Sequence, residues 1–155
     1  MNHSANWIRS NYRSKNPTKM AYTHLLDTNI VSDLIRHPNG RVKEKIAEIG
    51  EASVCTSLIV ASEIKFGCAK KASKPLTARA EIILGALPIL PLEEPADAHY
   101  ADIRSTLEAQ GQPIGPNDLL IAAHARTLGL TLVTANEAEF GRVKDLKVEN
   151  WLSVA

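Results

Sequence analysis

The sequence predicts an α/β domain with a mostly parallel sheet of about five strands, covered by helices on both faces. Three observations predict it. Short apolar runs recur at about 23–27, 52–55, 88–91, 131–134 and 147–150. Longer segments with apolar residues at helical spacing lie between them. Strands that alternate with helices in this way build parallel sheets, because each crossover carries a helix onto a sheet face. A chain of 155 residues bounds this to one domain with a sizeable core. Aromatic residues are only 5% of it, so that core must be built from Leu, Ile, Val and Ala.

Each helix has its own punctuation. "NIVSDLIRH" follows the first strand directly, and "GRVKEKIAEIG" is short, amphipathic and closed by Gly50. "SLIVASEIKFGCAKK" opens on Ser57, an N-cap residue, and ends in lysines that suit a helix C-terminus. "PLTARAEIILGAL" begins at Pro75. "PADAHYADIRSTLEAQG" places Ala96, Tyr100, Ile103 and Leu107 on one face and closes at Gly111. "PNDLLIAAHARTLG" has Pro116 at its start and Gly129 at its end.

Charge is unevenly spread. The net charge is +1, yet Arg9, Arg13, Lys15 and Lys19 all lie in residues 1–19, which hold no acid, so the remainder is net acidic. Global charge therefore does not argue for nucleic-acid binding. Residues 1–19 read as a polar, basic extension, either disordered or a misassigned start, and the folded domain spans 20–155. The extension lacks the apolar core and cleavage site of a signal peptide, and no apolar run is long enough to span a bilayer. Cys55 and Cys68 form no CxxC motif, which suits a reduced, cytoplasmic protein.

In open parallel sheets, ligands bind beyond the carboxyl ends of the strands. Asp27 stands at the exit of the first strand, in "LLDTN", and "LTLVTANEAEF" puts Thr134, Asn136 and Glu139 at another exit. Glu63 shares a helix face with Ile59, Val60 and Gly67, and Asp118 heads the buried stripe of Ile121, Ala122 and Ala125. Each acid alone has a bland reading. Asp27 could cap the next helix, Asp118 could be a first-turn acid, and Glu63 could edge the core with its carboxylate in water. As a set they would repel one another, and a divalent cation resolves that conflict. Carboxylates without Cys or His companions suit a hard ion such as Mg²⁺ or Mn²⁺. His124 and His99 read as packing or helix-surface residues, and no histidine spacing suggests zinc.

The stretches "LLDTNIVSDLI", "ASEIKFG", "IRSTLEAQGQPIGPNDLLIAAHARTLGL", "LVTANEAEF" and "GRVKDLKVENW" together resemble the PIN-domain ribonucleases, and in detail the VapC-type toxins of type II toxin–antitoxin systems. The resemblance runs over about residues 25–151. It implies a PIN-like three-layer sandwich and Mg²⁺-dependent hydrolysis of RNA phosphodiesters, with Mn²⁺ able to substitute, leaving 5′-phosphate and 3′-hydroxyl ends. By position it implies Asp27, Asp118 and Glu63 as metal ligands, with Asn136 and Glu139 completing the catalytic set. Thr28, Asn29 and Thr134 support them. One departure is Ala135, where relatives commonly carry an amide. The family further implies a VapB-like antitoxin, homodimerisation, and structured RNA as substrate, often tRNA and in one subgroup the initiator tRNA anticodon loop. Lys65, Lys70, Lys71, Arg104 and Arg126 are the cations available to phosphate.

Two other classes fit parts of the pattern. A haloacid-dehalogenase-type phosphatase also places an Asp at the first strand exit, but needs a second Asp where this chain has Asn29. A non-catalytic RNA- or antitoxin-binding module would keep the acids as vestiges.

Overall fold

The structure is a computed structural model and describes residues 22–153. The basic extension of residues 1–19 lies outside the described residues. Five strands form one sheet in the order β3-β2-β1-β4-β5, with every pair parallel. They are β1 (His24–Leu26), β2 (Val54–Ser57), β3 (Ile89–Leu90), β4 (Thr131–Val133) and β5 (Val148–Glu149). The helices are α1 (Thr28–Arg36), α2 (Arg41–Ile49), α3 (Leu58–Lys71), α4 (Lys74–Ala86), α5 (Ala96–Ala109), α6 (Pro116–Leu128) and α7 (Glu137–Phe140). A parallel sheet flanked by helices is the architecture the alternating pattern predicts. Among the described residues, no helix is long and apolar enough to cross a membrane.

The strands are short, and their side chains are buried on both faces. Leu25, Leu26, Cys55, Leu132 and Val133 are fully buried, as expected where crossovers lay helices over a parallel sheet. With so few aromatics, the interior is a Leu–Ile–Val–Ala core, and Phe140 and Trp151 close the side beyond β4 and β5. Both cysteines are free and buried, and burial pushes the Cys55 thiol up to about 12, which keeps it unreactive.

The second strand is displaced by two residues from its predicted position. Glu51–Ser53 form a single 3₁₀ turn, and the strand runs on through Thr56 and Ser57. Two hydroxyl residues look like a strand end, but both are buried with their polar atoms engaged. Thr56 Oγ1 donates to the Leu26 carbonyl at 2.7 Å, and Ser57 Oγ accepts the Ile59 N–H at 3.1 Å. Ser57 is thus the predicted cap of α3. Gly129 ends α6 in the left-handed conformation, φ +66°, where an L side chain is strained. The four-residue α7, too short to carry a periodic signal, was not anticipated.

Strand order fixes where a site can lie. Numbering reverses direction between β1 and β4, so the sheet has a topological switch point there, and its crevice opens beyond Leu26 and Val133.

Candidate active site

Asp27 follows the last residue of β1 and is 3% exposed. Its backbone begins α1, with the Ile30 and Val31 N–H groups donating to its carbonyl. Its side chain makes no cap hydrogen bond by geometry, although the adjacent Thr28 N–H helps to lower its pKa, so capping is not its main engagement. The carboxylate instead crosses the switch point and accepts the Thr134 hydroxyl at 2.7 Å. Burial holds Asp27 above the ordinary carboxylate range, partly offset by the Thr134 hydrogen bond. The charges of Glu63 and Glu139 push in the same direction as burial.

The neighbouring positions order this rim. Thr134 is fully buried and also accepts the Asn136 N–H at 3.0 Å. Asn29 Oδ1 accepts the Ala135 N–H at 3.0 Å. Residue 135 therefore contributes through its backbone, and its missing side-chain amide leaves this contact intact. Thr28 Oγ1 donates to Glu63 Oε1 at 2.8 Å, which draws the α3 carboxylate to the start of α1.

Asp118 enters from the first turn of α6, where the helix dipole favours a negative charge. Even so, its pKa is pushed up to about 7, first by burial, then by the charge of Asp27, and then by Glu139 and Glu63. Glu139 is its hydrogen-bonding neighbour and is shifted the other way. The Gly115 N–H donates to Glu139 at 2.9 Å, the Asn136 side-chain amide donates to it as well, and both hold its pKa down. Burial and like charge thus favour the protonated form of Asp118, while the donors around Glu139 favour its ionised form.

The topology thus brings Asp27, Glu63, Asp118, Asn136 and Glu139 to one rim, with Thr28, Asn29 and Thr134 as their hydrogen-bond partners. Among the described residues none of the four acids forms a salt bridge. Nor are three acidic, His or Cys side chains gathered into a ready ligand set. Their oxygens are instead held by Thr134, Thr28, Gly115 and Asn136. The donor chemistry still fits a hard divalent cation: the candidate ligands are carboxylate oxygens, and a cation would offset both the burial and the like charges that raise Asp118. Asp27, Asp118 and Glu63 could hold it.

Some features were not legible in the sequence. The Gly115 N–H is a backbone donor, signalled only by the "PIGPND" motif around it. Arg126 is not available to phosphate. Its guanidinium donates to His99 Nδ1 at 2.9 Å, to Asp102 at 2.7 Å and to the Lys144 carbonyl at 3.1 Å. Arg104 is exposed but engaged by Glu108 and Tyr100. Lys65, Lys70 and Lys71 remain exposed, and Lys71 lines a groove of about 180 Å³ that runs from Glu63 past Thr28, Arg36 and Leu76.

Comparison with known proteins identifies the family. Residues 24–146 match the PIN domain family. This chain belongs to the PIN-domain family. Within it, the chain falls among the VapC ribonucleases. It is 36% identical over 129 residues to a tRNA(fMet)-specific endonuclease VapC of Shigella flexneri, covering 82% of this chain and 96% of that one. It is 38% identical over 131 residues to ribonuclease VapC2 of Haemophilus influenzae, covering 83% and 98%. Among solved structures, VapBC2 from Rickettsia felis bound to a fragment of promoter DNA superposes with a TM-score of 0.77 at 33% identity, covering 83% of this chain and 98% of that one. DNA-bound VapBC from Salmonella typhimurium gives 0.75 at 29% identity, covering 84% and 98%. A PIN nuclease is an enzyme of phosphodiester hydrolysis, and the phosphatase alternative falls away.

Proposed function

We propose that this PIN domain is the toxin of a toxin–antitoxin pair, a Mg²⁺-dependent endoribonuclease that cuts structured RNA of the tRNA class and so blocks translation in the cytoplasm. The observation that carries the reading is the rim of four carboxylates, none in a salt bridge among the described residues, where burial and then like charge lift Asp118 to about 7. In this reading Asp27 and Asp118 are the principal ligands and Glu63 completes the pocket, with Mn²⁺ able to replace Mg²⁺. Bound there, the cation supplies Lewis acidity toward a phosphodiester.

The chain's own groups then have distinct tasks. Thr134 fixes the direction of the Asp27 carboxylate, and Thr28 does the same for Glu63. Glu139, held ionised by Gly115 and Asn136, stands beside Asp118, which must release its proton to solvent before it can serve as a ligand. Asn136 and Glu139 then orient solvent at the edge of the pocket. No histidine is needed as acid or base. Single-stranded loops of tRNA expose the backbone such a rim requires, and the tRNA(fMet)-specific relative makes the initiator tRNA anticodon loop the first substrate to try.

A protein partner is supported by the groove beside Glu63 and by exposed apolar side chains on the α3–α4 pair, where Phe66 is 69% and Ile82 70% exposed. We assign the groove to a segment of a VapB-like antitoxin, as in the VapBC complexes the fold resembles, and expect the toxin to form a homodimer.

The decisive experiment incubates purified, antitoxin-free protein with initiator tRNA. Cleavage is expected with Mg²⁺ and not with EDTA or in Asp27→Asn. Undiminished cleavage by Asp27→Asn would overturn the ligand assignment. A protein that takes up no Mn²⁺ in calorimetry would favour the non-catalytic module instead.

A further inference from the structure

His124 is fully buried, 1% exposed, and lies on α6 six residues beyond Asp118. Its Nδ1 is 2.8 Å from Ser57 Oγ. Ser57 is itself fully buried, ends β2, and caps α3 by accepting the Ile59 N–H. Glu63 stands six residues further along that helix.

The Pro91 carbonyl beside the ring favours one arrangement. A serine hydroxyl has one hydrogen and two lone pairs, and one lone pair serves Ile59. With Nδ1 as acceptor, Ser57 donates its only hydrogen, and the neutral imidazole carries its proton on Nε2. The backbone acceptor beside the ring is the Pro91 carbonyl, just past β3. Nε2 does not reach full hydrogen-bond geometry with any group in the structure. The imidazole is kept neutral by burial. With neither Ser57 nor His124 open to solvent, this is not a nucleophile–base pair.

Packing alone does not account for an imidazole here, because an apolar side chain would fill the space without burying two ring nitrogens. What the imidazole adds is a directional link. It ties the capped end of α3 to the middle of α6, two helices that pack together and carry Glu63 and Asp118 to the rim. We propose that Ser57 and His124 are a positioning pair, whose buried hydrogen bond sets the separation of Glu63 from Asp118 for binding of a divalent cation. This rests on the reading of the rim as a metal pocket.

The test is Mn²⁺ titration of the full-length protein by electron paramagnetic resonance, without RNA, alongside thermal unfolding. His124→Leu and Ser57→Ala are each expected to weaken Mn²⁺ binding about tenfold, the size of effect seen when groups orienting metal ligands are removed. His124→Asn, whose amide oxygen can accept from Ser57, and Ser57→Thr are expected to restore most of it. RNA cleavage lost in His124→Leu should return at higher Mn²⁺. Folded His124→Leu or Ser57→Ala that binds Mn²⁺ like the parent, whatever its thermal midpoint, overturns the proposal. If His124→Leu does not fold, Ser57→Ala decides alone. A parent protein that binds no Mn²⁺, or binds it equally well as Asp27→Asn, refutes the metal pocket itself and is distinguishable from loss of the positioning role.

Discussion

Two polar clusters of this molecule handle charge in opposite ways. Around Arg126 a single cation, 11% exposed in its side chain, is matched by Asp102, His99 and the Lys144 carbonyl. At the rim, Asp27, Glu63, Asp118 and Glu139 face one another without a salt bridge among the described residues. The first cluster is internally satisfied and joins α5, α6 and the loop before β5. The second is held by neutral hydrogen-bond donors, with Arg142 acting on Glu139 through its charge and not through an ion pair. A balanced cluster holds a fold together, whereas a cluster left with surplus charge is kept ready for a ligand.

The sharpest way to break this contrast is a pair of substitutions with opposite consequences. Asp118→Asn is expected to lower Mg²⁺-dependent RNA cleavage by at least on the order of a hundredfold, with no fall in thermal midpoint because a repelled charge is removed. Arg126→Ala should do the reverse. It loses charge-assisted hydrogen bonds worth about 2 kcal/mol and lowers the midpoint, while cleavage per folded molecule is unchanged. Urea unfolding and a labelled-RNA assay on the same samples check both. If Arg126→Ala lost cleavage without losing stability, the two clusters would not be separate in function.

A smaller effect is expected at Thr134. Thr134→Val keeps the shape but removes the hydroxyl that directs Asp27, and Mn²⁺ affinity should weaken about tenfold. Calorimetry reads this directly, and an unchanged affinity would mean that β4 contributes only packing to the rim.

The smallest effect is a pH dependence of the metal-free protein. Asp118 is raised from 3.8 to about 7 on folding, so between those values the folded state holds a proton that the unfolded state has released. Stability from this group is therefore greatest near pH 4, declines as pH rises towards 7, and levels off above it. Asp27, also raised by burial, adds a contribution of the same sign. Asp118→Asn should flatten the slope, and saturating Mn²⁺ should remove the decline. Denaturant midpoints from pH 5 to 8 test it, and a slope undiminished in Asp118→Asn would place its origin elsewhere.

Much of this was legible in the residues because strand exits and helix starts leave local marks. "LLDTN" shows an acid directly after an apolar run, and "PIGPNDLL" shows Pro and Asp in the first turn of a helix. Ser57 and Gly129 announced a cap and a stop. Less legible was whatever depends on two distant segments meeting. The continuation of β2 through Thr56 and Ser57 was not legible because the partners that satisfy their hydroxyls lie on β1, α3 and α6. Arg126 looked like a free cation because Asp102 and Lys144 are brought to it only by packing. His124 looked like a packing or surface residue, and its bond to Ser57 spans 67 positions of sequence.

By itself, then, the sequence determined the alternation of strands and helices, the ends of most of them, and which acids stand at strand exits or helix starts, since these follow from periodicity and backbone preference. Tertiary structure alone decided the strand order that sets β1 beside β4, and with it the meeting of Asp27 with Thr134 across the switch point. It also decided that Glu139 receives the Gly115 N–H and that burial and like charge raise the Asp118 pKa to about 7. These outcomes depend on distance and desolvation between residues far apart in the chain, and neither quantity exists until the sheet has closed around them.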